Sequence, residues 1–167
     1  METTKFTELC KAYGKAQSDF KQFQEDCYQL TLKLVKELKE YFQIPESQFS
    51  LFKIDANNEF HLVQPAVINA LNLRPDSLWQ FGIGLTMCTS VEASPQELIL
   101  IQILIRKDLE GCFFLKYGNE DKEHKVEKKE KFDFIPFFDY LHDTIINTYE
   151  QQITHFIGND TRRIIGY

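Results

Sequence analysis

The chain has 167 residues, 43% hydrophobic and 14% aromatic, with a net charge of −6. That length suits one domain over residues 1–167, and so much apolar area excludes a disordered chain, because burial is favoured over solvation. With no markedly basic segment, the counterion-release term that dominates nucleic-acid affinity has no source, so no nucleic-acid partner is expected.

The first residues carry charges where a secretion signal needs its apolar stretch. The longest apolar run, Leu98 to Ile105, is far short of the ~20 residues of a spanning helix. A cytoplasmic chain with no membrane segment is the expectation. Cys10, Cys27, Cys88 and Cys112 are scattered with no C-x-x-C pair, and read as free thiols rather than metal ligands or disulfides.

From about residue 3 to 42 there is no proline, and Phe6, Leu9, Tyr13, Ala16, Phe20, Phe23, Cys27, Leu30 and Leu34 recur at alternating spacings of three and four, which predicts a helix ended by Pro45. Straight, it would span ~60 Å, whereas a domain of this size is only ~40 Å across. A break near Gly14 is therefore expected. The other way out is that the helix end projects and meets another chain as a coiled-coil-like seam. Residues 48–54 and 59–64 read as a hairpin around Asp55 to Asn58, whose Asp and Asn tolerate left-handed backbone, and Pro65 opens a short helix over 66–73.

Residues 77–89 predict a strand with Trp79, Phe81, Ile83, Leu85 and Met87 on one face and Leu78, Gln80, Gly82, Gly84, Thr86 and Cys88 on the other. A loop over 91–96 leads to a second hairpin, 98–106 and 112–117, turning at 107–111. Residues 118–131 are so densely charged that a solvated loop or frayed hairpin end is expected. Phe134, Phe138, Leu141, Ile145, Tyr149, Ile153 and Phe156 then predict a second long helix, with Pro136 in its first turn and Gly158 as its stop. The tail, 159–167 with Arg162 and Arg163, reads as an edge strand or a mobile end.

The fold class that follows is α+β: a mostly antiparallel sheet of about five strands flanked by a long N-terminal helix and a long C-terminal helix. Both helices cover the face carrying Trp79, Phe81 and Ile99 to Ile105. On the second face Leu98, Leu100, Leu104, Phe114 and Leu78 are poorly suited to water and form a candidate interaction face. Gly82 and Gly84 leave a gap that marks a bend, a bulge or the close approach of a backbone or ligand, and with Trp79 they outline a candidate pocket.

Motif-bearing chemistry is missing: there is no G-x-x-x-x-G-K-[ST], H-E-x-x-H or G-x-S-x-G. Gly82-Ile83-Gly84 lacks the third glycine of a phosphate loop and lies inside a strand. His142 and His155 stand about 140° apart on their helix, too far round for one metal. Pro75-Asp76 lacks the acid-x-lysine strand that completes a metal-dependent nuclease site. No catalytic residue, metal or cofactor is assigned. What remains is a non-enzymatic protein-interaction module, homodimerising or docking a protein partner in the manner of a chaperone or adaptor. The alternative is a small-ligand-binding protein or enzyme with a pocket between sheet and helices.

Overall fold

The computed structural model describes residues 4–63, 66–89 and 96–156, with side chains in the last helix as far as Gln151. Thr4 is extended, and its hydroxyl accepts from the Thr7 amide, which satisfies one orphan donor and starts helix α1 (Lys5–Phe42). The expected break at Gly14 does not occur. An interior glycine costs only ~1 kcal/mol relative to alanine, and Gly14 lies on an open side with nothing within 4 Å of where its Cβ would be. The helix ends where Gln43 takes a left-handed φ of 51° and its amide turns back onto the Glu40 carbonyl. At 38 residues it spans about 57 Å, longer than the body it packs on.

After one 3-10 turn (Glu46–Gln48), strands β1 (Phe49–Ile54) and β2 (Phe60–Leu62) form the first hairpin. Its turn is held by the Asp55 carboxylate, which accepts from the Asn57 and Glu59 amides, with Asn58 at φ 61°. Helix α2 (Val67–Ala70) is a single turn, shorter than expected, because Asn72 and Leu73 leave it as strand β3 (Asn72–Leu73) to pair with Gln80 and Trp79. The antiparallel centre is β4 (Trp79–Met87), β5 (Glu97–Lys107) and β6 (Phe113–Tyr117), followed by β7 (His124–Lys128), β8 (Phe132–Asp133) and helix α3 (Ile135–Phe156). Most of the expected 91–96 loop, Gly158 and the 159–167 tail lie outside the described residues.

The fold is thus α+β with a sheet ordered β2-β1-β4-β5-β6-β7-β8 and β3 beside β4, eight strands rather than about five. The additional three are β3 and β8, of two residues each, and β7, within the stretch expected to be solvated. In β7 only Val126 is fully buried, while lysine and glutamate flank it, so the strand reads as loop by composition. Lysines on peripheral strands also discourage edge-to-edge pairing.

All three helices pack on one face of the sheet. Cys27, Leu30, Leu34 and Leu38 of α1, Val67 and Ala70 of α2, and Phe134, Phe137, Phe138, Leu141 and Ile145 of α3 join Trp79, Phe81, Ile83 and Ile99, Ile101, Ile103 and Ile105 in one buried cluster. Near the C-terminal end of α1 the rings of Tyr41 and Phe42 meet Phe138, and the Tyr41 hydroxyl donates to Asp139. No described helix is long and apolar enough to cross a membrane.

Candidate functional site

The second face is sheltered by its own side chains rather than by a described helix. Pairing of Phe52 with Gly82 and of Ser50 with Gly84 puts the aromatic residues of the first hairpin beside the two glycines of β4. A Cβ at Gly84 would lie 2.5 Å from the Phe52 ring and 2.5 Å from Ser50 Oγ; one at Gly82 would lie 2.8 Å from the Phe60 ring. The glycines are therefore sockets for two rings, which meet edge to face at 6.1 Å. Of the expected interaction face, Leu98 is 50% exposed, Leu100, Phe114 and Leu78 are half-buried, and Leu104 is only 3% exposed. The Arg106 guanidinium lies 4.1 Å from the Phe114 ring centre, held there by two hydrogen bonds to Glu123.

A polar seam crosses the same face. Buried Gln102 donates to Gln80 at 2.9 Å, Gln80 donates to the Ile54 carbonyl at 3.1 Å, and Asn72 donates to that carbonyl at 3.1 Å. Replacing Gln102 with leucine strands the Gln80 amide oxygen in a buried setting and is expected to cost about 1–3 kcal/mol. The Gln80→Leu/Gln102→Leu double variant is expected to cost less than the two single changes together, as read by a double-mutant cycle in urea. Strict additivity would show that the two amides do not act as a unit.

Trp79 does not share a cavity with the glycines: it is buried on the helix side, against Phe23, while Gly82 and Gly84 are filled from the other side. An apolar cleft between sheet and helices lies elsewhere. It measures about 500 Å³ and is walled by Phe42, Ile44, Leu85, Met87, His142 and Ile145. His142 stacks on Phe42 and pairs with Asp143.

Two turns bring possible metal ligands within 4.8 Å of one another, Asp55 with Glu59 and His61, and Asp108 with Glu110 and Cys112. Turn formation accounts for both: Asp55 accepts two amides and pairs with His61, and Asp108 accepts the Glu110 and Cys112 amides. His124 sits between the Phe137 and Tyr140 rings, and burial together with Lys122 lowers its imidazole below the usual range. The Tyr140 hydroxyl donates to Glu120, whose carboxyl is pushed up by burial. Cys27 is a core thiol raised to about 12 by burial, whereas Cys10 is exposed on α1.

An exposed apolar stripe lies on α1. Every residue from 4 to 22 is exposed, and the first fully buried one is Cys27. The helix leaves the body where Phe23 meets Trp79 at 6.4 Å and Asp26 pairs with Lys107 at 2.6 Å. Beyond that point the stripe that packs on the sheet continues into solvent, with Phe6 73%, Leu9 67%, Tyr13 68% and Phe20 44% exposed.

The chain matches no family model, no curated protein and no solved structure. Chemistry must therefore be read from the surfaces themselves. The periodicity of the stripe was available in the sequence, as was its possible use as a seam. The point at which it runs off the sheet was not, because Phe6 and Phe23 are equally apolar and only the tertiary structure separates them.

Proposed function

We propose that this chain is a protein-interaction module that presents the exposed half of α1 to a protein partner, with the sheet and the remaining helices as its base. The observation that supports it is the continuity of the stripe. The residues at three-four spacing that bury Cys27, Leu30 and Leu34 extend through Phe20, Tyr13, Leu9 and Phe6 with no described element against them. An amphipathic helix read at such anchor positions is a recurring mode of protein recognition. A helix of about five turns is marginal alone in water, so packing of this face against another body would stabilise it.

Face-resolved crosslinking tests the reading. A benzophenone side chain at Leu9 or Tyr13 is expected to give a discrete protein adduct in cells, with several-fold less from Lys11 or Ser18 on the outer side. An absence of adducts from both seam positions would overturn it. The ligand-binding alternative rests on the apolar cleft of about 500 Å³ beside His142, whose volume falls within the range of small-molecule sites.

A further inference from the structure

We propose that the partner of α1 is a second copy of this chain, the exposed helix halves pairing antiparallel as a short two-stranded coiled coil. This rests on the interaction reading above and names its occupant. Three observations point to it.

The first is the repeat. Phe6, Leu9, Tyr13, Ala16, Phe20 and Phe23 follow strict three-four alternation, a period of 3.5 residues, and that period keeps a seam facing one partner helix along its length. Laid antiparallel over the full exposed length, the stripe complements itself. Leu9 falls opposite Phe20 of the second copy and Tyr13 opposite its small Ala16, while Phe6 reaches its half-buried Phe23, the residue at which that helix meets its own body, and each layer recurs by two-fold symmetry.

The second is charge. Residues 5–22 carry Lys5, Lys11, Lys15 and Lys21 against Glu8 and Asp19, a net +2 on a chain of net −6, which leaves −8 for the remainder. Parallel pairing would set two bodies of like charge side by side. Antiparallel pairing separates them and brings each basic helix end beside the acidic body of the other copy. It also puts Lys5 near Asp26 of that copy, a carboxylate already paired with its own Lys107, and Asp19 beside Ala12, while Cys10, Gln17 and Gln24 on the other flank of the seam are neutral.

The third is area. Covering the exposed parts of Phe6, Leu9, Tyr13 and Phe20 buries roughly 500 Å² per copy, or ~1,000 Å² over the pair, which reaches the lower bound of a specific interface.

Light scattering on the full chain at about 100 μM is expected to give twice the 19.7 kDa chain mass. Leu9→Lys/Tyr13→Lys is expected to weaken self-association at least ~100-fold. The thermal melt of the variant, followed at the single buried Trp79, should stay that of the wild-type body at low concentration. Mild oxidation gives the register: antiparallel copies hold their Cys10 residues ~14 Å apart along the axis, so no Cys10 disulfide is expected.

A monomeric wild-type chain, a dimer untouched by the two lysines, or rapid Cys10 crosslinking each overturns the antiparallel self-pairing. A monomer whose Leu9 adduct contains a different protein sinks the second copy as occupant and leaves the interaction module standing. A monomer with no seam adduct sinks both.

Discussion

Leu30→Ala is expected to cost about 2–5 kcal/mol of folding stability, whereas Leu9→Ala, on the same face of the same helix, is expected to stay within ~0.5 kcal/mol at concentrations where the chain is alone. The two leucines are equivalent in the sequence pattern and twenty-one residues apart, three repeats of the seven-residue period or about six helical turns. They differ in what covers them. Leu30 has no exposed surface and belongs to the cluster formed by α1, α3 and the sheet, so truncation leaves a cavity that a close-packed interior only partly collapses. Leu9 is 67% exposed, so truncation removes little that folding had buried. Urea titrations and thermal melts of both variants at low concentration check the split, with a Tm loss of roughly 4–20 °C for Leu30→Ala and almost none for Leu9→Ala. Equal losses would mean that the upper half of α1 is part of the folding core, and would remove the basis for assigning it to recognition.

Strands β1, β4, β5 and β6 and both long helices were legible because each keeps an apolar pattern over five residues or more, and the three-residue β2 because the turn at Asp55 to Asn58 marks its hairpin. The seven-residue alternation of Ile99 to Ile105 in β5 is the clearest case. Asn72 and Leu73 in β3, and Phe132 and Asp133 in β8, are too short to show a period at all; β7 shows one apolar residue among charges. Those strands exist because neighbours supply hydrogen bonds, a tertiary effect that local pattern does not carry. The same limit governs the candidate surfaces. Alternation put Leu98, Leu100 and Leu104 on the second face, but whether that face stays open depends on Phe52 and Phe60. These belong to a hairpin some thirty residues earlier in the chain, and their rings reach β4 only through the register that sets Phe52 against Gly82. Leu104, beside buried Gln80, ends up covered, while Leu98 near the far end of β5 does not. For α1 the period was plain, and only the length of the sheet beneath it decides which turns are core and which are free for a partner.

Gly84→Val is expected to destabilise the fold by about 1–3 kcal/mol or more, although valine is a far better strand former than glycine. Position 84 lies mid-strand in β4 and has no left-handed φ, so backbone freedom is not what the glycine provides. Ordinarily a Gly→Val change at such a site would lower the entropy of the unfolded chain and favour the strand. Here the new Cβ would lie 2.5 Å from Phe52 Cε2 and 2.5 Å from Ser50 Oγ, and 3.2 Å from Leu98 Cδ1, well inside contact distance. The Phe52 ring must then leave its place over the strand, disturbing its contact with Phe60 and opening the cover that the first hairpin gives this part of the second face. If steric exclusion is the reason, shrinking the ring should relieve it: Phe52→Leu/Gly84→Val is expected to be more stable than the sum of the two single losses predicts, by ~0.5 kcal/mol or more. Self-association through α1 should be unchanged in both variants, because Gly84 is buried in the sheet while the stripe stands clear of it. A Gly84→Val chain as stable as the wild type would show that the rings of β1 and β2 do not depend on that socket, and that the second face is more yielding than its packing distances imply.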